Sequence, residues 1–306
     1  MGEDSSQPPG AKAFFLLLLV AVLMGAHHVA ARVAFDHGAD VAAVIVARSV
    51  VTAFAVGMLV IANRVSWALT RRQWGVMGVA GALVWLQSTL VYSATAHIPV
   101  ALALLSFNTY PIWTALFVWA IYRRRPDRSA LLVMPVIIFG LALALDVPSA
   151  VVDENARAQW SAMGVGVVCA LGAAMIYGLV LSLIQYEVAE LDGRLRTLLT
   201  MAAVGTLSLF VGEVGRALRW PDAAAGWWGI ALLSVCFGTG FTMLFSLLPK
   251  LGVVSNSPIL NVEPVAVLVL AWMVLGQRIA PLQLAGASIV VAAVMALGLM
   301  RRRRDA

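Results

Sequence analysis

Long apolar runs separated by short polar breaks dominate the chain. Runs with few charges occupy residues 12–34, 40–62, 73–95, 98–121, 129–147, 160–185, 195–216, 226–248, 252–275 and 281–300. A helix needs roughly 20 mainly apolar residues to cross a hydrocarbon core about 30 Å thick. The pattern therefore predicts an all-α integral membrane protein of ten transmembrane helices, the runs at 129–147 and 281–300 being the shortest. Residues 1–11 form a polar N-terminal tail, 12–147 a first group of five helices, 148–159 a linker, 160–300 a second group of five, and 301–306 a basic tail. The apolar stretch 14–26 would also suit a secretory leader. The internal repeat requires that run as a helix, so it is read as retained.

The repeat emerges when the sequence is shifted by 153 residues against itself. Gly25 then falls on Gly178, Trp74 on Trp227, Tyr92 on Phe245, Asn108 on Asn261 and Pro111 on Pro264. Each half holds an odd number of crossings, so the second must sit inverted relative to the first. Inverted repeats suit alternating access, because two similar halves can rock about a site they share near the midplane.

Composition agrees with a lipid solvent. Of the 306 residues 62% are hydrophobic and 12% charged, where a soluble domain has about 45–50% and about 25%. The net charge of +6 is no sign of nucleic-acid binding, since the basic residues gather in the breaks between runs. With the N-terminus in the cytoplasm and sides alternating, fifteen Lys and Arg fall inside and five outside, Arg48 being left within a run. That asymmetry orients both termini to the cytoplasm and implies a multi-pass protein of the plasma membrane, the inner membrane in a bacterium. The inside set includes residues 123–125 and 301–304, which also suit lipid headgroups. Trp67, Trp74, Trp160, Trp220, Trp227 and Trp228 lie near run ends, where amphipathic rings anchor at the headgroups. Cys169 and Cys236 fall inside runs and read as packing residues.

Few polar groups sit within the runs, and these are the candidates for function. Glu263 is the only carboxylate well inside one. An ionisable group there is costly to insert, by about 2.5–3.5 kcal/mol on translocon scales, and functional by default. It reads either as a proton-coupling or substrate-amine site, or as a structural acid paired with a helix or with Arg48. Pro111 and Pro264 break their helices by withholding an N–H from the carbonyls of Phe107 and Leu260. Asn108 and Asn261 precede them by three residues and share nearly the same face. The pairs read as two symmetry-related polar notches, with interhelical bonding by the asparagines as the alternative. Trp85, Ser88 and Tyr92 share a face of the third helix, opposed in the repeat by Gly238, Phe241 and Phe245. They read as an aromatic wall with hydroxyls for an organic solute or as ordinary packing. Tyr110, Tyr177 and Trp113 extend the aromatic set. His27 and His28 are neighbours about 100° apart on a helix, so His28 is taken as the one facing a cavity, with packing as the alternative for both. Gly75, Gly78 and Gly81 read as a small-residue face for close helix approach. No cofactor or metal site is expected, since no carboxylate lies at helical spacing from the histidines.

Asn261-Val262-Glu263-Pro264-Val265 and Leu275-Gly276-Gln277 resemble the Glu-Pro-Val and Leu-Gly-Glu motifs of the EamA-type ten-helix transporters of the drug/metabolite transporter superfamily. Met24-Gly25 resembles the Trp-Gly of that family's first helix, and Arg48 its second-helix arginine. Met24 and Gln277 depart from the usual tryptophan and glutamate, and Arg124 at the matching place in the first half lacks the acid too. The resemblance implies movement of small organic solutes, often export of amino acids or related metabolites. A membrane-embedded enzyme would need a dense intramembrane cluster of acids, histidines or Ser-Lys groups, which this sequence lacks. A channel would show rings of like groups or a filter loop, and an ATP-driven pump a phosphate-binding loop. The expectation is a secondary transporter for a zwitterionic or neutral solute, with the solute and the lipid bilayer as partners and no nucleic acid. A passive channel or scaffold is the alternative. The sequence suits a monomer and a homodimer equally.

Overall fold

The computed structural model describes residues 11–125, 128–146, 154–215, 218–251, 263–277 and 280–305, and every regular element among them is helical. In the first half these are α1 (Ala11–Asp36), α2 (Val41–Ala62), α3 (Arg71–His97), α4 (Val100–Phe107), α5 (Tyr110–Tyr122) and α6 (Arg128–Ala144). The second half holds α7 (Glu154–Glu187), α8 (Gly193–Val214), α9 (Ala224–Leu251), α10 (Glu263–Leu275) and α11 (Pro281–Asp305). Seven segments are long and apolar enough to cross a membrane, Val100–Tyr122 counting as one. Leu131–Ala144, Glu263–Leu275 and Pro281–Ala296 are shorter apolar helices.

Several boundaries differ from the apolar runs. Helix α7 begins at Glu154, inside the stretch read as a linker, and α11 continues through the basic residues to Asp305. Hydrophobicity reports how much helix lies in lipid, whereas the helix itself runs on while its backbone bonds continue. The run at 98–121 is two helices, α4 and α5, parted at Asn108 and Thr109.

The two halves pack reciprocally. Helix α1 lies against α9 and α3 against α7; α2 pairs with α8 and α6 with α11. The lesser contacts repeat the pattern: α2 with α9 mirrors α8 with α3, and α1 with α10 mirrors α7 with α5. Under the 153-residue shift each pair maps onto its counterpart.

Lipid tails are as apolar as leucine, so these helices associate through close packing rather than through a hydrophobic force. The buried seams are accordingly rich in small residues, among them Ala30, Ala31 and Ala34 of α1 and Ala170, Ala173 and Ala174 of α7. Large apolar side chains face outward instead: Phe54, Ile61, Leu132, Phe210 and Trp228 are each more than 60% exposed. Glycine gives the closest approaches. A Cβ on Gly25 would stand 2.9 Å from Val267 Cγ2 and 3.3 Å from the Glu263 carbonyl oxygen. Its repeat mate Gly178 leaves only 2.7 Å to the Thr114 nitrogen and the Trp113 Cβ. The small-residue face expected on α3 is real only at Gly81, which abuts Ala203; Gly75 and Gly78 meet nothing within 4 Å. A three-residue spacing aligns side chains on one face but does not say whether a neighbour lies there.

Polar contacts tie the ends. Thr70 and Gln73 form a capping box on α3. Asp40 caps α2 through the Ala43 N–H at 2.8 Å and also accepts from the Arg219 N–H at 2.9 Å. Asp192 caps α8, and the Arg194 guanidinium bonded to it holds its carboxyl below the usual carboxylate range. Arg72 pairs with Glu187, which also accepts from the Tyr122 hydroxyl at 3.1 Å.

Candidate functional site

The interruption between α4 and α5 follows from local chemistry. Pro111 at the start of α5 has no N–H to offer the Phe107 carbonyl. Side chains add to the backbone donors there: Asn108 Nδ2 donates to the Leu104 carbonyl at 2.8 Å, and Thr109 Oγ1 donates to that of Ser106 at 2.8 Å, beside the backbone N–H bonds those carbonyls also accept. Asn108 thereby closes the end of α4 and keeps its Oδ1 as an acceptor.

This break opens onto a cavity of about 130 Å³ lined by Leu104, Phe107, Asn108, Tyr110, Tyr177, Glu263 and Pro264. Its walls come from both halves: α4 and α5 on one side, α7 and the first turn of α10 on the other. Phe107, Tyr110 and Tyr177 form a three-ring cluster with centroid separations of 5.8, 5.3 and 5.1 Å. Glu263 is close enough to Tyr177 for their charges to interact. The space is below the roughly 300–1,000 Å³ of drug-sized sites, so it admits a metabolite of few heavy atoms. Three π-faces, an amide and an acid suit a planar or apolar body carrying N–H donors or an ammonium. The two repeat glycines fix this geometry. Gly25 seats the start of α10 at Glu263, and Gly178, beside Tyr177, seats α5 at Trp113 and Thr114.

A second polar cluster lies between α1, α2, α3 and α9. The Arg48 guanidinium donates through Nη2 to Ser88 Oγ at 2.9 Å and through Nη1 to the Tyr92 hydroxyl at 3.3 Å. It stands 4.2 Å from the Phe237 ring centroid and 5.2 Å from that of Tyr92. His27 and His28 adjoin it, their rings 3.9 Å apart, with His28 5.7 Å from Tyr92 and His27 5.0 Å from Phe237. Phe241 lies tilted against Phe237, with 4.4 Å between ring centroids. Among the described residues Arg48 thus bonds hydroxyls of α3, neither Glu263 nor a helix carbonyl.

A model of the EamA-like transporter family matches residues 164–299. A second family model, described as purine nucleobase transmembrane transport, matches residues 62–214, half of the chain. The chain belongs to the EamA-type transporters of the drug/metabolite transporter superfamily. No curated protein matches it. A solved structure described only as "Crystal structure of protein" is 16% identical, covers 97% of this chain and 100% of its own, and superposes with a TM-score of 0.62. At that identity the likeness concerns the fold alone.

As an EamA-type protein the chain is a membrane transporter of small solutes, and its families are transporter rather than enzyme families. Among the described residues no three His, Cys, Asp or Glu side chains gather as metal ligands. Of the residues singled out from sequence, Asn108, Tyr110, Tyr177, Glu263 and Pro264 meet in the cavity, with Pro111 shaping it. Ser88, Tyr92, His28 and Phe241 belong instead to the Arg48 cluster, while Trp85 packs partly buried against the central core. Asn261 lies outside the described residues. Phe107 and Leu104 are lining residues the sequence reading missed. Phe107 is the residue whose carbonyl Pro111 leaves unpaired, and that register marks its ring as a neighbour of the break.

Proposed function

We propose that the chain is a secondary transporter that carries a small zwitterionic or neutral metabolite through the cavity between α4–α5, α7 and α10. The observation behind this reading is that a partly enclosed space with both polar and aromatic lining takes its wall from both halves of a reciprocally packed bundle. Rocking of the halves would expose such a space to each side in turn. The arrangement intended is ten crossings in two inverted repeats with both ends cytoplasmic, supported by seven long and three short apolar helices and by the inside excess of Lys and Arg. The membrane is the plasma membrane, and the direction is export, as the resemblance implies. Amino acids and related amines suit the site because Glu263 offers an anion to an ammonium and the rings offer it π-faces.

A second solute class has its own support. The model matching half of the chain is described by purine nucleobase transport. A flat heterocycle with N–H donors also suits three aromatic rings beside an amide oxygen and a carboxylate.

Counterflow uptake in proteoliposomes, with a panel of amino acids and purine nucleobases, tests both. Trans-stimulated uptake of an amino acid supports the first class, and of a nucleobase the second. Uptake of either without trans-stimulation contradicts a carrier, and silence across the panel with folded, inserted protein removes both classes.

A further inference from the structure

Arg48 is 5% exposed and lies in the interior of α2. A buried cation in a membrane pairs with an acid, a carbonyl or a ligand, and among the described residues this one has the two hydroxyl acceptors of Ser88 and Tyr92. The ion pairs of the described residues join Arg32 to Asp36, Arg72 to Glu187 and Arg194 to Asp192. Of the fifteen acids in the chain only Glu263 falls well inside an apolar run, and it lines the other cavity. The stretch 252–262, outside the described residues, contains no acid. Among the described residues the charge on Arg48 therefore has no fixed counter-charge in its surroundings.

The arginine is also held as a receptor would be. A guanidinium has five N–H donors. Ser88 and Tyr92 take one from each Nη, and Nε has no partner. The guanidinium carbon lies over the Phe237 ring, and the unpartnered Nε with the neighbouring Nη makes one forked edge of the group. His28 Nδ1 and Ser234 Oγ, both more than nine-tenths buried, are likewise without hydrogen bonds. His28 reaches the cluster through Tyr92, and Ser234 lies one helical turn from Phe237 on α9.

We propose that Arg48, with His28 beside it, forms a second binding site whose ligand is a carboxylate. A forked guanidinium edge matches the two oxygens of a carboxylate, whereas a spherical halide uses one donor direction at a time. The carboxylate belongs either to the transported solute or to a separate monocarboxylate. If to the solute, the inference rests on the carrier reading above; the site itself does not.

The test uses the purified full-length protein, with acetate as the probe and chloride as the control at equal ionic strength. Acetate is expected to raise the thermal unfolding midpoint where chloride does not. Arg48→Lys, which keeps the charge but loses the fork, is expected to weaken acetate at least tenfold. In lipid, magic-angle-spinning NMR of the wild-type protein should show contact between ¹³C-carboxyl acetate and a guanidinium nitrogen, a readout that stands even if Arg48→Lys fails to fold. Equal effects of chloride and acetate, unchanged affinity in Arg48→Lys, or no such contact would each overturn the site. Displacement of acetate by a transported zwitterion assigns the carboxylate to the solute, and binding without displacement assigns it to a separate anion. Absent counterflow with acetate binding intact removes the carrier reading and leaves this site standing.

Discussion

Replacing glycine by alanine at three positions separates helix propensity from helix contact. Alanine in a helix interior is favoured over glycine by about 1 kcal/mol. Overpacking a tight seam costs about 1–3 kcal/mol. At Gly75 an added methyl meets nothing within 4 Å, so Gly75→Ala should be neutral or more stable by up to ~1 kcal/mol. At Gly25 the methyl meets Val267 Cγ2 at 2.9 Å and, at 3.3 Å, the Glu263 carbonyl oxygen and the Val267 nitrogen, so the start of α10 must give by a few tenths of an ångström and the two terms nearly cancel. At Gly178 the methyl meets the Thr114 nitrogen and the Trp113 Cβ at 2.7 Å and the Trp113 carbonyl carbon at 3.0 Å. Backbone cannot turn aside, and Gly178→Ala should lose roughly 1–2 kcal/mol net. Denaturant unfolding in mixed micelles would rank the three, and counterflow would report the site. Gly25→Ala and Gly178→Ala should both lower transport, because each moves an element that carries cavity residues. A Gly178→Ala protein as stable and active as Gly75→Ala would refute the proposed seating of α5.

Other consequences concern the cavity itself. Asn108→Ala removes both a side-chain bond at the end of α4 and an amide lining the cavity, so transport should fall at least tenfold with expression near normal. Asn261→Ala should behave likewise if the repeat extends to function, and wild-type rates in both would remove the paired-notch idea. Tyr177→Phe should retain most transport and Tyr177→Ala little, since the ring contacts Phe107 and Tyr110; equal loss in both would shift the weight to the hydroxyl. Wild-type transport should vary with pH between roughly 5 and 8 and become flat in Glu263→Gln, and an unchanged profile would reduce that acid to structure.

What could be read from the sequence follows a physical divide. Apolar runs, the Asn-x-x-Pro notch and the isolated acid are local signals, and they pointed to the helices, the break at Asn108 and Glu263, while Tyr110 and Tyr177 entered only as members of an aromatic set. Properties that depend on what lies across a seam were not legible. The Trp85, Ser88 and Tyr92 stripe shares a helical face, but nothing local says that its hydroxyls meet Arg48. Gly75 and Gly178 look alike in sequence, and only the fold shows one facing open space and the other a helix backbone. The repeat was the one long-range signal available. It is reflected in the reciprocal packing of α1 with α9 and α3 with α7.

The central claim is that one cavity is reached from both sides of the membrane in turn, and side-resolved thiol labelling tests it most directly. Cys169 and Cys236 would be replaced by alanine and Leu104→Cys introduced at the cavity wall. A membrane-impermeant maleimide would then be applied from each face of oriented proteoliposomes. Labelling from both faces, slowed on both by a solute active in counterflow, is the predicted result. Labelling from one face only, or labelling that such a solute leaves unchanged, would contradict alternating access through this cavity.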